Sequence, residues 1–151
     1  IMLYLGTNGV SLDNTQNADA IKTIVDCIRQ DAPDIPIYVV NTLYRGNQNG
    51  IGVQQSNDGF ASQPGKMKYE EDLKIMDLMQ RLSLLLKGYS NLYFIPIATT
   101  HDSEYNFGNV ETPVNPRAVQ MEYLPKESVH PQTQGYYKMA DCIWSVFVGT
   151  M

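Results

Sequence analysis

Long apolar runs are scarce in this chain of 151 residues. The longest, 92–98 and 82–86, match a buried strand and one helix face, well short of the roughly 18–20 residues that a bilayer-crossing helix needs. The sequence does not open on the charged-then-apolar pattern of a secretory leader, but its start at Ile1, inside an apolar run, reads as an excerpt of a longer chain and leaves a removed leader open. Basic residues are outnumbered, 11 Lys and Arg against 16 Asp and Glu, for a net charge of −5. They are scattered singly, so no membrane and no nucleic acid is expected as partner, since both surfaces want clustered cations. Cysteine is limited to Cys27 and Cys142, each within a helix-like apolar pattern and without a His at ligand spacing. Both read as buried thiols, and neither metal nor cofactor is expected. No Gly-rich or Ser/Thr-rich phosphate loop follows a strand-like run, which weighs against a nucleotide- or flavin-binding chain.

What is present is alternation. Ile1-Met2-Leu3-Tyr4-Leu5 is a short apolar run closed by Gly6, the pattern of a strand buried on both faces of a parallel sheet. Asn17, whose side-chain oxygen suits an N-cap, precedes Ile21, Ile24, Val25 and Ile28, an amphipathic helix stripe that ends near Asp31 and Pro33. A second strand is expected at 35–40, with Pro36 near its start. The Asn-, Gln- and Gly-rich segment 41–65 is too long for a simple turn and reads as a functional loop or an insertion.

A second helix carries Leu73, Met76, Met79, Leu82 and Leu86 on one stripe and ends at Gly88. A third strand at 91–97 and an aperiodic loop at 98–126 come next. The closing helix, 132–148, places Tyr136, Met139, Ala140, Ile143, Trp144 and Phe147 on its expected buried face. Strand and helix in threefold alternation signal an α/β fold with a parallel sheet, and 1–151 reads as part of one domain. Ligands of such sheets sit beyond the C-terminal ends of the strands, where the long loops are.

Two stretches carry candidate chemistry. Gly6-Thr7-Asn8-Gly9 follows the first strand directly, so the Asn8 amide can donate to a developing oxyanion; the same residues also make an ordinary strand-ending turn. In Glu127-Ser128-Val129-His130-Pro131 a carboxylate three residues ahead of a His can reach Nδ1, fix the tautomer and stabilise the imidazolium of a general base. A solvated Glu and a surface His before a helix fit the same letters, with Pro131 preset for helix entry.

Together the stretches resemble the SGNH (GDSL-like) hydrolase family, in which a strand runs into Gly-x-Asn and an Asp-x-x-His-Pro lies near the C-terminus, often followed by Gly-Tyr. Here Gly6-Thr7-Asn8 and Glu127-Ser128-Val129-His130-Pro131 are followed by Gly135-Tyr136. The resemblance implies a three-layer, flavodoxin-like parallel sheet, of which this chain supplies the third to fifth strands and their helices. It implies Asn8 as an oxyanion-hole donor, His130 as the base, and Glu127 in place of the family's Asp. The family's Gly-Asp-Ser nucleophile and its second oxyanion glycine are not in this sequence, and no Gly-x-Ser-x-Gly elbow replaces them. Either the first strands and the serine lie upstream of Ile1 or the chain is a degenerate relative without catalysis; the expectation is that the missing part is covalently upstream, or supplied by another segment in the structure, and completes the sheet beside Ile1-Met2-Leu3-Tyr4-Leu5.

The loops refine the substrate class. Tyr44 and Phe60 lie in one, and Tyr105, Phe107 and Tyr123 in the other; such rings stack on sugars or anchor their loops to the body. Arg45 and Asn47 can hydrogen-bond hydroxyls. His101, just past the third strand, either lines the pocket or is a satisfied loop histidine. Gly6, Tyr44, Arg45 and His101 are the substrate-binding candidates. On this reading the chain belongs to a serine esterase of small acyl esters, with O-acetyl groups on carbohydrate as the leading substrate. The other reading is a non-catalytic, SGNH-like carbohydrate-binding or structural module of a larger assembly.

Overall fold

A computed structural model describes residues 1–7, 10, 13–44, 68–102, 105–125 and 130–151. In chain order these form β1 Met2–Tyr4, α1 Thr15–Asp31, β2 Ile37–Val40, α2 Lys68–Leu86, β3 Leu92–Ile95, α3 Ile97–Thr100, β4 Asn109–Pro113, β5 Met121–Pro125 and α4 Thr133–Gly149. The first three strands make one sheet in the order β1-β2-β3, parallel throughout, with Met2 opposite Tyr38 and Tyr38 opposite Tyr93. β2 is central and all four of its residues are buried, so it reads as a continuous apolar run rather than an alternating one.

Strand pleating sends successive side chains to opposite faces. Ile37 and Val39, with the partly buried Leu3, Leu92 and Phe94, meet Ala18, Ile21 and Val25 of α1 and Ile75, Leu78, Leu82 and Leu86 of α2. Tyr38, Val40 and Ile95, with Tyr93, meet Ile97 of α3 and Met139, Cys142, Ile143, Val146 and Phe147 of α4. The result is three layers, with α1 and α2 on one face and α4 on the other. Each fully buried aliphatic side chain here contributes about 1.5–3 kcal/mol relative to exposure. α4 runs against the strands: its first turn lies by His101, past the end of β3, and the Thr150 hydroxyl after it lies 2.9 Å from the Tyr38 hydroxyl near the start of β2.

Several sequence expectations shift. Helix α1 begins two residues ahead of Asn17, and the Thr15 amide donates to Asp13 Oδ1 at 3.0 Å. Asn17 instead donates from Nδ2 to the Gly6 carbonyl, tying α1 to the end of β1. On α2, Leu73 and Met76 are exposed while Ile75 and Leu78 are buried. Apolar residues surround that helix, so spacing alone could not choose its inner face. On α4 the buried seam is Gly135, Met139 and Cys142, whereas Tyr136 and Trp144 face outward. Cys142 is a buried thiol as expected, but Cys27 is exposed.

The third strand ends at Ile95, and Ile97, expected within it, opens α3; the segment expected to be an aperiodic loop holds the rest of α3 and an antiparallel hairpin, β4 on β5, with Glu111 opposite Tyr123. Pro96 ends β3 because it cannot donate to the ladder. Asn115 turns the hairpin: its side-chain oxygen accepts the Arg117 amide at 3.0 Å, an Asx-turn. The loop leaving β1 is pinned at its far end by Asn14, almost wholly buried, which donates from its backbone amide and from Nδ2 to Asp77 Oδ2, each at 3.0 Å. Burial pushes the Asp77 carboxyl up, but the Arg81 guanidinium and the Asn14 donors outweigh it and hold the group below the usual carboxylate range.

Candidate functional site

The three parallel strands deliver their C-terminal ends to one rim. From β1 the chain enters Gly6 and Thr7; from β2, Asn41 to Tyr44; from β3, Pro96 and α3 into His101. Gly6 has φ +98°, a conformation that L side chains rarely adopt, and a Cβ there would stand 2.8 Å from Leu78 Cδ2 and 3.5 Å from Ile21 Cδ1. Its glycine identity thus answers to a sharp exit from β1 under the helices. Thr42, buried, donates from Oγ1 to the Leu5 carbonyl at 3.4 Å and joins the exits of β1 and β2.

The chain past β3 is stitched to the start of α4. Asn106 folds back on Asp102: its amide donates to the Asp102 carbonyl at 3.0 Å, and its Oδ1 accepts the Asp102 amide at 2.7 Å. The Asn106 carbonyl then accepts the Gln132 amide at 2.9 Å, Gln132 Nε2 donates to the Tyr105 carbonyl at 2.7 Å, and Phe107 bridges to Pro131. His130 is the residue before that bridge and is exposed. The described geometry therefore sets His130 at the β3 end of the same rim from which Gly6 and Thr7 leave β1. Across β2, two strand spacings amount to roughly 10 Å.

Asn8, Arg45, Glu127 and Phe60 lie outside the described residues, so the contact of Glu127 with His130 and the direction of the Asn8 amide are not part of this geometry. Tyr44 is half-buried and packs against the core beneath α1 and α2, an anchoring role rather than an open stacking face. Phe107 is fully buried for the same reason, while Tyr105 stays exposed. His101 is 7% exposed, and neither ring nitrogen has a hydrogen-bond partner among the described residues. Burial holds its pKa below the ordinary imidazole value; Asp102 pulls it up, and Lys138 pushes it further down.

Asn41 was missed from sequence. It follows the last residue of β2 and its amide continues the ladder to the Ile95 carbonyl at 3.0 Å, yet its buried side-chain oxygen has no partner among the described residues. The signal was there, a polar residue placed at the strand exit just as Asn8 is near that of β1. Among the described residues no cluster of His, Cys, Asp or Glu could hold a metal ion. A cleft of about 200 Å³ between α1 and α2, lined by Thr15, Asp19, Arg81 and Leu84, lies on the sheet face away from α4 and His101. Compared with models of known protein families the chain matches none, and no curated protein matches it.

Proposed function

We propose that this chain is the C-terminal part of a flavodoxin-like SGNH hydrolase domain that cleaves small acyl esters, with carbohydrate O-acetyl groups as the leading substrate. What supports this reading is the shared rim: Gly6 and Thr7 leave β1 there, and His130 and Pro131 lead into α4 at its β3 end, in one parallel sheet. On this mechanism a serine outside the chain attacks the ester carbonyl. His130 takes its proton and returns it to the leaving alcohol, Glu127 orients His130, and Asn8 donates to the oxyanion. No cofactor enters the reaction.

The partner that completes the site is a strand laid along the outer side of β1. Ile1, Met2 and Tyr4 are 48, 46 and 44% exposed, and β1 is an edge of the three-stranded sheet. In a parallel ladder alternate residues face each neighbour; Tyr38 donates to the Ile1 carbonyl, which leaves the backbone of Met2 directed away from β2. Among the described residues one face of the sheet carries the long helices α1 and α2 and the other α4 with the short α3, so the exposed Met2 marks where a further helix would lie.

The test is hydrolysis of p-nitrophenyl acetate and of O-acetylated sugars by the protein with its upstream segment. The Asn8→Ala variant is expected to lose about 10²–10³-fold in turnover, roughly 3–4 kcal/mol, with its thermal unfolding unchanged. Undiminished turnover in Asn8→Ala removes the amide from the mechanism. No hydrolysis by the wild type, together with binding of the sugar, establishes the non-catalytic carbohydrate-binding alternative.

A further inference from the structure

The structure gives His101 an environment that its side chain does not need for packing alone. A buried imidazole whose two nitrogens find no partner among the described residues is costly, and an apolar residue would fill the volume without that cost. Its ring meets Phe107 edge-on, with centroids 5.2 Å apart and planes at 85°. On the other side it lies against the first turn of α4, where a Cβ at Gly135 would stand 2.9 Å from His101 Cε1, 2.7 Å from Pro131 Cβ and 2.5 Å from the Asn106 carbonyl oxygen. The glycine makes room for the ring, and the ring in turn occupies the space beneath the residues that follow His130.

We infer that His101 is a positioning residue for His130: its uncharged imidazole is a wedge that sets the entry of α4, and acid releases that entry by charging the wedge. The groups around it agree with the uncharged form. The ring lies beside the first turn of α4, the positive end of that helix, and Lys138 opposes protonation. Asn106, Phe107, Pro131 and Gly135 bring nothing titratable, and among the described residues Asp102, next along the chain, is the group that favours the charged form. Above about pH 6.5 the imidazole is neutral in folded and unfolded chains alike and adds no pH dependence. Below that value the unfolded chain takes the proton first, so the docked state of α4 weakens as pH falls toward the lower folded-state value.

The catalytic consequence rests on the hydrolase reading above, whereas the wedge itself does not, and the experiment separates the two. In the full-length protein, the Cε1 proton of His101 is followed by NMR from pH 8 to 4.5, together with the exchange protection of the Tyr136 amide, which donates to the Gln132 carbonyl. The expected result is a His101 midpoint clearly below the ordinary value. With the same midpoint, protection at Tyr136 should fall about tenfold, a local opening rather than global unfolding. In His101→Phe and His101→Gln this acid-dependent loss should vanish. If the protein is an esterase, these variants should also show altered acid limbs of kcat with KM little changed. A His101 midpoint at or above the ordinary value overturns the inference, as does an equal acid-dependent loss in both variants. If a variant does not fold, the wild-type titration still decides. Exchange results as expected in a protein without esterase activity would keep the wedge and reject the hydrolase reading.

Discussion

Replacing His130 by alanine is expected to lower ester turnover by about 10²–10⁴-fold, the contribution typical of a positioned general base. The side chain is exposed at the rim and its loss opens no core cavity, so the change in thermal stability should be small beside the loss of rate. A large kinetic loss with a small thermodynamic one marks a chemical role, and added imidazole should restore part of the rate. Steady-state hydrolysis by the full-length protein, measured beside a thermal melt, reads both. Turnover equal to wild type would sink the assignment of the base, whatever became of the fold.

The second large effect is on stability. Phe107 is fully buried, with its ring against His101 and its backbone bridged to Pro131, so Phe107→Ala removes a whole aromatic side chain from the core. The expected cost is about 3–5 kcal/mol. For a domain of this size it lowers the melting temperature by roughly 6–20 °C, measurable by calorimetry. A change below about 1 kcal/mol would mean that the segment 105–107 is not clamped to α4 as described.

The sequence disclosed the parts of this molecule governed by local physics. The short apolar run closed by Gly6 and those expected at 35–40 and 91–97 became the parallel strands, the last of them stopping before Pro96, and the stripe of Ile21, Ile24, Val25 and Ile28 became α1, with Ile24 exposed. It could not rotate α2 or α4 correctly, because both carry apolar residues around more than one face. Leu73 or Ile75, and Trp144 or Cys142, are equal candidates until the sheet selects. The hairpin of β4 and β5 was obscured by the prolines that end both strands and by the polar residues alternating along them. At the site, the His-Pro entry to α4 was readable because proline preorganises a helix start. The roles of His101 and Gly135 were not, since they arise from a contact between segments more than thirty residues apart.

Trp144 is the chain's single tryptophan, and it is 63% exposed on the outer side of α4. Its indole therefore already samples water in the native state, and its emission should change little when the chain denatures. The same indole, tilted against Phe147 with ring centroids 6.0 Å apart, will shift to the blue when another polypeptide shields that surface. Intrinsic fluorescence is thus a poor gauge of unfolding for this protein and a direct optical signal for assembly.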